Sequence, residues 1–197
     1  MSFRLTNPQS TEHVLRDIHV LFSSAEKRMP IPYSPLAIAN EFVARHAQDD
    51  GIEHMKLQKL VYCANGWWLV SHSDHPLVSE LPEVWKYGPV FPSLYSVLKV
   101  FGRAPITMVQ SRGPFDTPDR VDEDDEETLT LVEWVWGRYG HLSSFALSDM
   151  THKKGTAWER LASEHSFLVP EGLDIPSSYI RDEFKGIYDR EPGFRVA

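Results

Sequence analysis

The chain has 197 residues, of which 42% are hydrophobic and 12% aromatic. This is enough apolar material for one sizeable core but short for two full domains, and it excludes a collagen, a low-complexity polymer and a wholly disordered chain. No apolar run approaches the ~18 residues that a membrane-spanning helix needs. The N-terminus has no hydrophobic signal core, and the single cysteine, Cys63, cannot form an internal disulfide. We therefore expect a cytoplasmic protein.

The net charge of −8 is concentrated in one segment. Residues 119–127 (DRVDEDDEE) contain seven acidic residues and one arginine, a net charge of −6, which leaves −2 for the rest of the chain. A nearly neutral body does not present the broad basic face of a DNA-binding protein. The acidic run could bind calcium or mimic nucleic acid, but it is more typical of a solvated, mobile loop.

The predicted elements begin with an appended segment. Residues 1–32 predict an amphipathic helix and an extended linker, because apolar residues at helical spacing precede a run that contains two prolines. Ser34 and Pro35 have the residue types of a helix N-cap and first position, and they predict a helix that ends near residue 48.

A central helix is predicted over residues 54–71. Leu57 and Leu60 lie on one face and are expected in the core, and the opposite face is also largely apolar, which is typical of a buried helix. The polar residues cluster at the start of this helix. We therefore expect its first turn, with Lys56 and Lys59, to be exposed to solvent or to a partner.

The rest of the chain predicts further helices and little else. A short strand is expected over residues 83–87, and residues 106–109 are expected to pair with it as a small hairpin. These signals predict a mainly α, single-domain, compact helical bundle around a buried central helix, with at most that hairpin. The domain is expected over residues 33–190, followed by a tail over 191–197. The remaining helices are predicted over residues 92–102, 124–139, 143–150, 157–166 and from 177 onward.

No arrangement of side chains identifies an enzyme or a cofactor protein. His72, Asp74 and His75 could bind a metal, but they lie in a predicted loop without further ligands, so no metal and no cofactor is expected. Cys63 lies in a helix expected to be buried and is interpreted as a small apolar residue. His152 lies at a predicted helix end, where a helix corner is the simpler interpretation. An uncharacterised hydrolase that uses His152 is kept as an alternative.

The segment from Trp85 to Tyr95 (WKYGPVFPSLY) is rich in aromatic residues and proline. Its prolines stiffen the chain and its glycine allows a bend. Large aromatic side chains on a rigid surface are typical anchors of protein interfaces. Packing against the central helix is the alternative interpretation, and both can hold at once.

Three segments match a known signature in both content and order. They are a K-L-x-K-L-x-Y helix, a W-x-x-G-P-V turn with proline and tyrosine after it, and a downstream T-H-x-x-x-x-x-W. This combination, over roughly residues 33–188, resembles the Panacea antitoxin domain family of SocA-like and phage GepA-like proteins. The matching residues are Lys56, Leu57, Lys59, Leu60, Tyr62, Trp85, Gly88, Pro89, Val90, Pro92, Tyr95, Thr151, His152 and Trp158.

The resemblance implies an antitoxin of a bacterial or phage toxin–antitoxin system that binds and neutralises a cognate protein toxin. The dense match over residues 55–102 favours the SocA-like branch. There, the resemblance implies a proteolytic adaptor that delivers the toxin to the ClpXP protease, with the ClpX unfoldase as second partner. Direct occlusion of the toxin without proteolysis is the alternative. The charge pattern does not favour a nucleic-acid-binding regulator, and a homodimer is left open.

The expected interface for these partners combines the aromatic turn with the two lysines of the central helix. A second group of signature residues is expected to be structural. The interface residues are Lys56, Lys59, Trp85, Tyr87, Gly88, Pro89 and Tyr95. The structural residues are Leu57, Leu60, Tyr62, Thr151, His152 and Trp158.

Overall fold

The computed structural model of the chain describes residues 32–47, 50–72 and 75–190. The predicted N-terminal segment, apart from residue 32, and the predicted C-terminal tail lie outside these described residues. No helix within the described ranges combines the length and the apolar character needed to cross a membrane.

The helices begin where the sequence signals predict. The Ser34 hydroxyl accepts the Ala37 N–H at 3.1 Å and caps helix α1, which starts at Pro35. In the same way, Asp125 caps a later helix by accepting the Thr128 N–H at 3.0 Å. The helices are α1 (Pro35–His46), α2 (His54–Ser71), α3 (Pro92–Leu98) with a 3-10 turn (Lys99–Phe101), α4 (Glu126–Tyr139), α5 (Ser144–Thr151), α6 (Ala157–Glu164) and α7 (Ser177–Arg190).

Helix α2 forms the centre of the fold, and α1, α4, α5 and α7 pack around it. Leu57 and Leu60 are fully buried, and a leucine side chain gains about 2 kcal/mol when it leaves water. Gly66 lets α7 approach closely, because a Cβ atom there would lie 2.2 Å from the Phe184 ring. The predicted mainly α bundle around a buried central helix is confirmed.

The small β element is a hairpin, but its predicted partner strand is wrong. Strand β1 (Glu83–Trp85) pairs antiparallel with β2 (Gly88–Val90), not with residues 106–109. Ile106 instead exchanges two backbone hydrogen bonds, each 3.0 Å, with Ile52. The reason is local: Gly88 adopts φ +96°, so the chain reverses immediately after β1 and pairs with itself.

The first residues of the acidic run are attached to helix α1. Glu41, which is 1% exposed, accepts Arg120 at 2.6 Å. The Ser34 hydroxyl donates to Asp119, also at 2.6 Å. Further along the run, residues 122–124 are exposed. The expected solvated, mobile loop is therefore wrong for the beginning of this run, because a buried carboxylate needs a charged partner and finds one there.

Candidate interaction surface

The hairpin of β1 and β2 is fixed by side chains that contact its backbone carbonyl groups. Five such contacts come from α2, from α5 with its C-cap residue, and from α6, and together we call them the hairpin clamp. Because each carbonyl in the series has a partner, the hairpin backbone has little freedom to move relative to the helices. The pairs are Gln58 with Phe91, Lys59 with Pro89, Ser148 with Tyr87, His152 with Lys86, and Trp158 with Trp85.

Lys59 is buried, and the expectation that it is exposed is wrong. Its side chain is 1% exposed, and its ammonium donates to the Pro89 carbonyl at 2.8 Å. Burial lowers the pKa of Lys59 to about 7, and the charge of a Cys63 thiolate would act in the opposite direction. The sequence shows that the first turn of α2 is polar. It does not show that the Lys59 ammonium bonds a carbonyl 30 residues away, and that bond is what allows the side chain to be buried.

Lys56 reaches a different element and does not join Lys59. It is half-buried, and its ammonium donates to the Gly140 carbonyl at 2.6 Å, just beyond the end of α4. The same ammonium lies 5.1 Å from the centre of the Trp136 ring, which is a cation–π distance. The two lysines therefore connect α2 to two neighbours rather than forming one exposed pair.

Gln58 belongs to the clamp, although the sequence analysis did not select it. Its amide exchanges two hydrogen bonds with the backbone of Phe91: the N–H of Phe91 donates to Oε1 at 2.9 Å, and Nε2 donates to the carbonyl at 3.3 Å. Gln58 is 2% exposed. The signal available in the sequence for Gln58 was its amide side chain in the polar first turn of a helix that is otherwise apolar.

Gly88 and Thr151 show why the signature pairs these two residue types. A Cβ atom on Gly88 would lie 2.3 Å from the Thr151 hydroxyl oxygen and 3.0 Å from the Lys59 side chain. Thr151 is buried, and its hydroxyl donates to the Ser148 carbonyl at 2.7 Å. Only glycine therefore allows the hairpin to lie directly against α5.

His152 caps the C-terminal end of α5 and touches the hairpin tip, as the predicted helix corner requires. Its Nδ1 lies 2.7 Å from the Ser148 carbonyl, and its Nε2 lies 3.2 Å from the Lys86 carbonyl. Each ring nitrogen of His152 therefore lies beside a backbone carbonyl, one on its own helix and one on the hairpin. The ring also packs on Trp158 with centroids 4.1 Å apart. No carboxylate of a described residue forms a hydrogen bond with His152. Its contacts are those of a residue that joins two helices at a corner.

The outer side of the hairpin carries aromatic side chains. Tyr87 lies at the tip and is 56% exposed, and Tyr95 on α3 is 36% exposed. Trp85 is partly buried, and its ring lies 4.7 Å from that of Tyr95. Among the predicted interface residues, these three reach the surface, whereas Lys59, Gly88 and Pro89 are buried beneath it.

Helix α5 adds Phe145, which the sequence analysis missed. On this helix the hydroxyl residues Ser144, Ser148 and Thr151 are buried together with Leu147, while Phe145 is 69% exposed. Phe145 precedes His152 by two helical turns, on the side from which His152 contacts the hairpin tip. The signal available in the sequence for Phe145 was the helical spacing of the serine and threonine residues of α5. We call Trp85, Tyr87, Tyr95 and Phe145 the aromatic surface.

The residues weighed for metal or nucleophilic chemistry do not form such a site in the described part of the chain. No group of three or more His, Cys, Asp or Glu side chains there is arranged to hold a metal ion. His72 stacks on Trp68 with centroids 3.8 Å apart, and Asp74 lies outside the described residues. Cys63 is buried, and burial raises the pKa of its thiol, so the reactive thiolate is disfavoured.

Comparison with known proteins identifies relatives of this chain. The family described as antitoxin SocA-like, Panacea domain, matches residues 57–159, a span that contains every donor of the hairpin clamp. Antitoxin SocA of Caulobacter vibrioides (strain NA1000 / CB15N) is 31% identical over 157 residues, which cover 76% of this chain and 81% of that protein. No solved structure matches the chain.

Proposed function

Because the chain belongs to the SocA-like Panacea antitoxin family, we propose that it neutralises a cognate protein toxin by binding it through the aromatic surface. The observation that carries this proposal is the hairpin clamp, which holds exposed aromatic side chains on a backbone fixed at five carbonyl groups. Aromatic anchors that are rigid before binding lose little conformational freedom in the complex, and such anchors dominate interface energetics.

The proposed mechanism requires no chemistry from the antitoxin itself. His152 and Cys63 are the two residues that a hydrolase hypothesis would use, and both are engaged in packing or hydrogen bonding. We assign both of them structural roles. Neutralisation then depends on the affinity of the surface and on what happens to the bound toxin.

For the fate of the toxin, we propose delivery to the ClpX unfoldase of the ClpXP protease. An adaptor raises the local concentration of its cargo at the protease, so it needs one surface for the toxin and another for the unfoldase. The aromatic surface is assigned to the toxin. Occlusion of the toxin by binding alone is the second candidate, and it needs only the first surface.

A co-expression experiment tests both statements. The small gene adjacent to this one is induced with and without the antitoxin, in cells with and without ClpX. Rescue that requires ClpX, with loss of the toxin on a blot, is the result expected for an adaptor. Rescue without ClpX, with the toxin co-purifying, supports occlusion. Adjacent genes that are not toxic would contradict the antitoxin proposal.

A further inference from the structure

Beside the aromatic surface, the hairpin tip and the loop after α5 form a common edge. The Lys86 carbonyl contacts His152, so the tip and the loop are joined through the backbone of one and a side chain of the other. The loop itself is pinned because the Thr156 hydroxyl, with one hydrogen to donate, lies 2.7 and 2.9 Å from the carbonyl oxygens of Thr151 and Lys153. The backbone of this edge is therefore held in place before any partner arrives.

This edge carries an unusual share of the positive charge. The described part of the chain has five exposed lysines, and Lys86, Lys153 and Lys154 all lie here. None of the three forms an ion pair with a carboxylate of a described residue. By contrast, ion pairs with carboxylates are formed by Arg45, Arg112, Arg120 and Arg160. On a chain of net charge −8, three cations without acidic partners are available to a ligand.

Two carboxylates are close in sequence, and neither neutralises the lysines. Glu159 accepts the Gly155 N–H at 3.0 Å, which caps the loop, and Asp149 is exposed two residues before the end of α5. The Lys86 ammonium lies 5.4 Å from the centre of the exposed Tyr87 ring. The edge therefore combines an aromatic anchor with a basic rim, which is the layout of a protein interface.

We propose that Lys86, Lys153 and Lys154 bind an acidic segment of the protein partner whose apolar side chains contact Tyr87. This deepens the proposed function by stating the chemistry of the toxin segment. A polynucleotide fits less well, because its phosphates, about 1.7 Å apart along a duplex, would extend from three lysines onto the rest of an acidic chain. A short peptide segment can place its carboxylates on the rim alone.

The test uses the full chain and three fluorescent peptides with the same Leu-Trp-Leu centre, flanked on both sides by four Glu, four Gln or four Lys residues. We expect the Glu peptide to bind about tenfold tighter than the Gln peptide at low salt, since each exposed ion pair contributes a factor of a few. K153E/K154E is expected to abolish that preference. The matched control is K99E/K185E, which changes the net charge equally at the two other exposed lysines of the described residues and is expected to retain the preference.

Equal binding of the three peptides, or equal loss in the control pair, would overturn the inference. Tighter binding of a 20-nucleotide single strand than of the Glu peptide, lost in K153E/K154E, would also overturn it in favour of nucleic acid. The measurement does not involve the toxin. Non-toxic adjacent genes would therefore contradict the proposed function while leaving this result intact.

Discussion

At the scale of single residues, two buried ionisable groups, Lys59 on α2 and Glu183 on α7, have pKa values near 7 for related reasons. Burial lowers the pKa of Lys59 to about 7, and burial raises the pKa of Glu183 to about 7. Hydrogen bonds from the Tyr62 hydroxyl at 2.6 Å and the Ala157 N–H at 2.8 Å oppose the shift of Glu183. Both groups therefore make folding depend on pH, in separate windows.

The sign of each dependence follows from which state binds the proton. Between the ordinary glutamate value of 4.5 and about 7, Glu183 is protonated only in the folded chain, so the free energy of unfolding falls as pH rises. Between about 7 and the ordinary lysine value of 10.5, Lys59 is protonated only in the unfolded chain, so the free energy of unfolding rises. The contributions of these two groups are least favourable near pH 7.

Lys59→Met tests the second window. Between pH 7 and 9, we expect the free energy of unfolding of the wild type to rise by about 1 kcal/mol per pH unit relative to that of the variant. The reason is that methionine has no proton to lose. Urea denaturation at several pH values measures the difference. Lys99→Met, at an exposed lysine, is the control and should follow the wild type. Parallel profiles for Lys59→Met and the wild type would contradict a buried, titrating Lys59.

Phe145→Ser separates binding from stability. Since Phe145 is 69% exposed, we expect the free energy of unfolding to change by less than about 0.5 kcal/mol. Rescue from the toxin should nevertheless weaken at least tenfold, as a lost aromatic anchor costs an interface ~2 kcal/mol. Phe115→Ser, at a phenylalanine that is 99% exposed in the loop before the acidic run, is the matched control. Equal effects of the two variants on rescue would remove Phe145 from the interface.

At the scale of elements, the helices and the first strand of the hairpin were predictable, and the partner of that strand was not. Helix ends follow local signals such as the Ser34 cap and the proline after it, which act within one turn. The turn at Gly88 is local, but the side chains that hold the hairpin against the helices are distant in sequence. Gly88-Pro89 was therefore interpretable from sequence only as a break between elements. The same distance explains the error at Lys59 and the omission of Gln58, because their backbone partners, Pro89 on β2 and Phe91 just after it, lie about 30 residues further along the chain.

Gly88→Ala tests the contact between the hairpin and α5. Alanine at φ +96° costs about 1–2 kcal/mol anywhere, and here its Cβ would also collide with the Thr151 hydroxyl. Gly172→Ala is the control, because Gly172 has φ +74° with nothing within 4 Å. We expect Gly88→Ala to lower the free energy of unfolding by about 2 kcal/mol more than Gly172→Ala in urea denaturation. Equal losses would mean that the hairpin can move away from α5.

At the scale of the whole molecule, the beginning of the acidic run joins two distant parts of the chain. The run looked like a solvated loop because its composition reports charge and not partners. Glu41 on α1 lies 79 residues before Arg120 and accepts both its Nε and an Nη nitrogen, at 2.6 and 3.1 Å. Burial alone would raise the pKa of Glu41, but these hydrogen bonds and the arginine charge lower it.

Arg120→Ala measures this connection. The variant leaves Glu41 buried with weaker partners, and we expect a loss of about 2 kcal/mol in the free energy of unfolding at pH 7. Because the pKa of Glu41 is lowered in the folded chain, its contribution is lost as pH falls, and the difference should shrink below pH 4. Arg112→Ala, which breaks the pair between exposed Arg112 and partly buried Asp119, should cost less than about 1 kcal/mol. A loss independent of pH would exclude Glu41 as the cause.

The hairpin clamp has a consequence for how the protein opens. Because Gln58 and Lys59 hold the hairpin from inside the central helix, β1 and β2 have no separate low-energy opening and belong to the same cooperative unit as the core. The amide hydrogen of Phe91 should then exchange with solvent only when the entire domain unfolds. An antitoxin built in this way keeps its surface intact for as long as it remains folded, and loses surface and fold in one step.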